Sequence, residues 1–96
     1  MVSGELKTLR ITLEAVDDDV LGYVYLRDIA SGQSQATRQV QQGVNADYDG
    51  DGQLLGVEFL HAEQANADVM RTVAAQLDAP ELAGIDLAVM CNRRNA

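Results

Sequence analysis

The twelve residues Asp47–Glu58 read DYDGDGQLLGVE, and two different folds are possible for them. The stretch fits the calcium-binding loop of an EF-hand, with carboxylates at loop positions one, three and five, glycine at six and glutamate at twelve. An EF-hand places a helix on each side of such a loop, whereas a hairpin places a strand on each side. The neighbouring residues distinguish the two structures.

Those neighbours favour a hairpin. Residues 37–46, TRQVQQGVNA, alternate in polarity and contain Gly43, so they would make a poor helix. Residues 53–60, QLLGVEFL, have the composition of a strand. On a strand, Glu58 lies about six residues beyond the turn at ~3.3 Å per residue, roughly 20 Å from the aspartates and out of their reach. We therefore expect a hairpin, and calcium binding by the loop Asp47–Glu58 is the alternative.

The first sixty residues show the period of two that is typical of strands. Apolar and polar residues alternate, and Tyr23 and Tyr25 fall on one face of the second segment. The four candidate strands lie at about residues 7–15, 20–29, 36–48 and 53–60. Short, turn-forming links join them, which predicts a four-stranded antiparallel β-meander over about residues 7–60.

The period changes to that of a helix after the last candidate strand. Apolar residues recur at steps of four within residues 63–80, which predicts an amphipathic helix ended by Pro80. Residues 81–96 fit either a second short helix or an added strand. We expect one α+β domain, residues 1–96, in which a helical C-terminal extension over about residues 63–96 packs on one face of the β-meander.

Two turns of the predicted meander are rich in aspartate. In a four-stranded meander, the turn between strands one and two and the turn between strands three and four lie at the same end of the sheet. The sequence therefore predicts an acidic rim at one edge, and this rim would bind a basic partner or weakly hold a divalent cation. Its residues are Asp17, Asp18, Asp19, Asp47, Asp49 and Asp51.

Composition limits the classes of function. The 96-residue chain has a formal net charge of −8, from fifteen acidic and seven basic side chains. This charge repels phosphates and acidic membrane surfaces, so we expect no direct nucleic-acid or membrane role. No apolar run approaches the ~18 residues of a membrane span, and the lone Cys91 fits a reducing compartment, so we expect a cytoplasmic protein. A sheet face left uncovered by the helix would gain from a partner, and we expect a homodimer.

The sequence offers no constellation of catalytic or metal-binding residues. His61 is the only histidine in the sequence, and the only cysteine, Cys91, is distant from it, so a zinc site lacks ligands. Cys91 has no helper for nucleophilic catalysis. We therefore expect no enzyme activity, no cofactor and no bound metal. The chain is interpreted as a non-catalytic binding or regulatory module that acts on a basic protein partner through its acidic turns or an open sheet face.

Two segments carry a resemblance to a known family. DDDVLGYVYLRDI, residues 17–29, and TRQVQQGVNADYDGDGQLLGVEFLHA, residues 37–62, resemble a small bacterial family of unknown function, domain-of-unknown-function family two-two-eight-three (DUF2283). The resemblance spans about Thr12 to Ala62 and is most specific from Gly43 to Leu60. It implies a β-meander with a helical element and no established activity. Family members found beside toxin-like proteins imply a binding or antitoxin-like role.

This chain departs from the family pattern in two places. Val20 and Gly22 stand where the family has small or alanine-like residues. The extension from Gln64 to Ala96 is longer than the minimal family domain, so the resemblance implies nothing about the role of that extension.

Overall fold

Five antiparallel strands form one sheet in the part of the chain that the structure describes. The computed structural model describes residues 9–27 and 34–94, with only the backbone of residues 93 and 94. The strands are β1 Arg10–Val16, β2 Asp19–Tyr25, β3 Ala36–Gln41, β4 Val44–Tyr48 and β5 Leu54–Phe59. Their order in the sheet is β1-β2-β5-β4-β3. The predicted start of the first strand near residue 7 and the predicted end of the second near residue 29 lie outside the described residues.

The prediction of four strands is wrong, because the segment 36–48 is itself a hairpin. β3 and β4 pair with each other on either side of a turn at Gln42 and Gly43. Gly43 has a φ of 79°, a left-handed conformation that glycine adopts without steric cost. Because the turn has two residues, apolar residues continue to fall at every second position on both sides of it. In the sequence, the hairpin therefore looks like one long strand.

The central strand is β5, with β2 on one side and β4 on the other. Val24 of β2 pairs with Val57 of β5, and neither side chain has any exposed surface. The chain reaches this pairing by a crossover from β2 to the far edge of the sheet, where β3 lies. From there β4 and β5 lead back toward β2, so strands that are distant in sequence become neighbours.

Four helical segments follow the strands within residues 60–94. They are a 3-10 helix at Ala62–Gln64, α1 Ala67–Leu77, a second 3-10 helix at Pro80–Gly84 and α2 Leu87–Arg94. The predicted α+β class is confirmed, and the single C-terminal helix of the prediction is replaced by this series. α1 ends at Leu77, before Pro80, because Asp78 takes a left-handed conformation with φ 53° and its N–H bonds to the carbonyls of Ala74 and Ala75.

The core lies between the sheet and these helices. Val24, Val57 and Phe59 point from the sheet into one cluster of buried side chains, which Met70 and Val73 of α1 complete from the other layer. Leu82 and Leu87 extend the cluster, and the thiol of Cys91 is buried with them. Among the helices of residues 62–94, none is long and apolar enough to cross a membrane.

Candidate functional site

Tyr23 and Tyr25 lie on the sheet face opposite the helices. Side chains alternate between the two faces of a strand, and Val24, between the tyrosines, points into the core. The two tyrosine side chains are half-buried. Their ring centroids lie 4.5 Å apart with an interplanar angle of 49°, which is a tilted aromatic contact. The prediction that these tyrosines share a face is therefore confirmed.

The ring of Tyr23 crosses the neighbouring strand β5 at Gly56. A Cβ atom placed on Gly56 would lie 2.4 Å from Cε1 of Tyr23, closer than such contacts allow. Beyond the glycine, the Tyr23 hydroxyl donates a hydrogen bond of 2.7 Å to Oδ2 of Asp47 on β4. Gly56 therefore provides the space through which a side chain of β2 reaches β4.

Asp47 receives a second hydrogen bond from the other side. The hydroxyl of Thr37, on the edge strand β3, donates to Oδ1 of Asp47 over 2.6 Å. Burial raises the pKa of Tyr23, and the hydrogen bond to Asp47 with the negative charge of that carboxylate raises it further. The phenol therefore stays protonated at neutral pH and remains a hydrogen-bond donor.

Further side chains complete a continuous surface on this face. The guanidinium of Arg10 lies over the ring of Tyr25, 4.0 Å from the centroid. The amide nitrogen of Asn45 donates to Oε1 of Glu58 over 3.2 Å. We call this surface, which runs across all five strands, the tyrosine face. Its residues are Arg10, Tyr23, Tyr25, Thr37, Asn45, Asp47 and Glu58.

The loop between β4 and β5 is a hairpin turn, as the sequence predicts. Oδ1 of Asp49 accepts hydrogen bonds from the backbone N–H groups of Asp51 and Gln53, each 2.9 Å long. These donors, with the guanidinium of Arg27 3.2 Å away, hold the pKa of Asp49 below its usual value. Glu58 lies within β5 and belongs to the tyrosine face, so the stretch has strands where an EF-hand has helices.

The predicted acidic rim is wrong as a structure, because the two groups of aspartates lie at opposite ends of the sheet. The turn at Asp17 and Asp18 precedes β2, whose first residues lie beside the last residues of β5. The loop 49–53 precedes the first residues of β5, at the other end. The unexpected turn at Gln42 and Gly43 reverses the chain once more, and this moves Asp47, Asp49 and Asp51 away from Asp17, Asp18 and Asp19. Their partner-binding role stays a prediction.

A third group of polar side chains meets near the start of β2. Nδ1 of His61 lies 3.0 Å from Oδ1 of Asp19 and 3.7 Å from Oε2 of Glu63. The ligands considered for His61 from the sequence were a second histidine or a cysteine, and these carboxylates were not among them. Glu63 is only two residues away in sequence, but Asp19 becomes a neighbour only once β2 is known to pair with β5.

The comparisons with known proteins identify one family. Residues 17–63 match the family described as "Protein of unknown function (DUF2283)". No curated protein and no solved structure matches the chain. The matched segment begins at the turn before β2 and ends within the first 3-10 helix, so it contains β2 to β5, the four strands that carry most of the tyrosine face. Over residues 17–63, the chain is thus similar to the DUF2283 family of proteins of unknown function, as the sequence predicts.

Proposed function

We propose that the chain is a non-catalytic binding module whose tyrosine face binds a protein partner with a basic surface. The observation that carries this proposal is the tyrosine face itself, a row of aromatic and carboxylate side chains on the sheet face opposite the helices. Tyrosine supplies a large contact area with little conformational freedom to lose, and it is enriched at protein interfaces.

The tyrosine face is suited to cationic groups. Arg10 already lies over Tyr25, which shows that the ring accepts a guanidinium at 4.0 Å within this chain. Asp47 and Glu58 add two carboxylates beside the rings, and the net charge of −8 attracts a basic protein over a longer range. Lysine or arginine side chains of a partner would therefore contact aromatic rings and carboxylates, and the negative electrostatic potential of the chain would attract them.

Hydrogen bonds within the face reduce the cost of binding. The Tyr23 ring is held by Asp47, and Asp47 is held in turn by Thr37. Side chains fixed before binding lose less conformational entropy when a partner arrives. With strands ~4.8 Å apart and residues ~3.3 Å apart, the face measures about 24 by 20 Å. This is about 500 Å² per partner, below the usual ~800 Å², so we expect a transient complex with micromolar affinity.

The acidic turns support the proposal less well than the tyrosine face does. The carboxylate of Asp49 is engaged by its own loop, and the two groups of aspartates cannot act as one patch from opposite ends of the sheet. We do not adopt the calcium alternative, since Glu58 lies on β5, where it accepts a bond from Asn45. The expected homodimer stays a prediction, as does the cytoplasmic location.

Affinity capture with matched variants tests the proposal. The full chain and its Tyr25→Ala and Glu58→Lys variants are used to capture proteins from the native host, with Asp51→Asn as the control outside the tyrosine face. We expect one basic protein to bind the full chain and the control, and to be lost by tenfold or more with each face variant. Capture that survives both face variants but fails with Asp51→Asn would assign binding to the acidic loop and reject the proposal.

A further inference from the structure

We propose that Asp19, His61 and Glu63 form a binding site for a divalent transition-metal cation of the Zn²⁺ type. Each residue offers one ligand atom, and these three atoms all lie within 4.8 Å of one another. Zinc bonds of ~2.1 Å to nitrogen and oxygen place tetrahedral ligands about 3.4 Å apart. The observed separations of 3.0 and 3.7 Å from Nδ1 of His61 lie on either side of that distance.

A single hydrogen bond cannot join the three ligand atoms directly. One imidazole nitrogen carries at most one proton, and Oδ1 of Asp19, at 3.0 Å, is placed to accept it. Oε2 of Glu63, at 3.7 Å, is then too far from Nδ1 for a hydrogen bond. Two carboxylates therefore face one ring nitrogen, and a cation between the three groups would bond to all of them at once.

Glu63 is held in the orientation that a ligand needs. Its other oxygen, Oε1, accepts a hydrogen bond of 2.9 Å from the backbone N–H of Val20, so Oε2 is left facing His61. Ala62, between the two ligands, is fully buried against Gly22, where an added Cβ would lie 2.9 Å from Cβ of Ala62. This close packing fixes residues 61–63 against β2, and hydrogen-bonded ligands of this kind bind metal more tightly than free ones.

The mixed ligand set selects the class of metal. Imidazole nitrogen suits Zn²⁺ and its neighbours in the transition series, whereas sites of carboxylate oxygens alone suit Ca²⁺ and Mg²⁺. The side chains of Asp19, His61 and Glu63 are 48%, 45% and 32% exposed, so water can complete the coordination and the ion can exchange. We therefore expect reversible binding in the micromolar range.

Calorimetric titration of Zn²⁺ into the full chain, without a histidine tag, tests this site. We expect one Zn²⁺ per chain, with amide shifts in an NMR titration centred on residues 19–20 and 61–63. His61→Ala and Glu63→Gln should each weaken binding at least tenfold. Glu63→Gln keeps an oxygen that can accept from Val20 N–H, so it preserves the local fold. Asp51→Asn removes one negative charge at the other end of the sheet and should bind Zn²⁺ as the unaltered chain does.

Three results would overturn the proposal. One is a calorimetric titration that shows no saturable binding heat up to about 1 mM Zn²⁺. The three side chains would then form only an ion-pair cluster. Another is unaltered Zn²⁺ affinity in His61→Ala, and the third is a shift pattern centred on the acidic loop 49–53. A parallel titration with Ca²⁺ should give weaker binding that does not depend on His61.

Discussion

At the scale of single residues, Tyr23, Gly56 and Asp47 act as one unit. The glycine gives the ring room, and the carboxylate fixes the position of the hydroxyl. A glycine inside a strand costs stability relative to alanine, by about 0.5–1 kcal/mol. A glycine is therefore required at position 56 because the Tyr23 side chain crosses it. The backbone of Gly56 does not require one, since its φ is not positive.

We expect Gly56→Ala to destabilise the protein by about 1–3 kcal/mol, as overpacking does. The added methyl group would lie under 3 Å from three atoms of the Tyr23 side chain, so the ring must move away from Asp47. In a Tyr23→Ala background the same change should be neutral or slightly stabilising, because the clash is gone. Urea unfolding of the four proteins in this double-mutant cycle measures a coupling of about 1 kcal/mol or more.

Gly84→Ala is the matched control for this cycle. A Cβ atom at Gly84 meets nothing within 4 Å, so the change should alter the free energy of unfolding by no more than about 0.5 kcal/mol. Equal effects of Gly56→Ala with and without the Tyr23 ring would show that the ring is not what requires the glycine.

The lowered pKa of Asp49 predicts how its contribution to stability depends on pH. Its pKa lies below the ordinary 3.8 in the folded protein, chiefly because the N–H of Gln53 donates to the carboxylate. A depressed folded-state pKa contributes stability above the unfolded-state value, and this contribution is lost as pH falls through the folded-state value. A ¹³C NMR titration of the Asp49 carboxyl group should give a midpoint below 3.8.

Arg27→Gln separates the causes of this shift. The backbone N–H groups remain in that variant, so the midpoint for Asp49 should rise only in part and stay below 3.8. A midpoint that returns fully to the ordinary value would assign the shift to the ion pair with Arg27 and not to the loop.

At the scale of elements, the hairpin at Asp47–Glu58 follows from the sequence, and the hairpin at Gln42 and Gly43 does not. The first has a cluster of Asp and Gly that breaks the alternation of polarity. The second has one glycine within a segment whose apolar residues keep alternating, and the turn is seen only in the structure, in the pairing of β3 with β4 and the left-handed φ of that glycine. One missed turn changed the strand count and the end of the sheet at which the acidic loop lies.

The sequence also shows the apolar face of α1 more clearly than the residue at which this helix begins. The side chain of Asn66 accepts a hydrogen bond of 3.0 Å from the N–H of Val69 and begins the helix there, three residues after the predicted segment begins. We expect Asn66→Ala to cost about 1 kcal/mol of unfolding free energy, as the loss of an N-cap does. Asn66→Asp keeps an acceptor and should stay close to the unaltered protein in urea unfolding. Equal losses in both variants would contradict the capping role.

At the scale of the whole molecule, the strand order decides which residues meet. Asp19 and His61 are 42 residues apart in sequence, and they become neighbours only because β2 pairs with β5 across the sheet. A meander joins each strand to the next one in sequence, so the predicted topology could not bring these residues together. Tyr23 and Asp47 meet for the same reason, whereas the common face of Tyr23 and Tyr25 needs only the period of a strand.

The excess of acidic residues over the whole molecule predicts that salt stabilises the fold. Exposed ion pairs such as Arg27–Asp49 and Arg71–Asp68 contribute little to stability, while a net charge of −8 repels throughout the folded chain. The Debye length falls from ~30 Å at ~0.01 M to ~8 Å at ~0.15 M salt, so repulsion between the two acidic ends of the sheet is screened over this range. We therefore expect a higher urea midpoint at the higher ionic strength, and the same increase in NaCl and in KBr, since screening depends on ionic strength and not on the identity of the ion. A midpoint that falls with salt would show that the local ion pairs outweigh the repulsion.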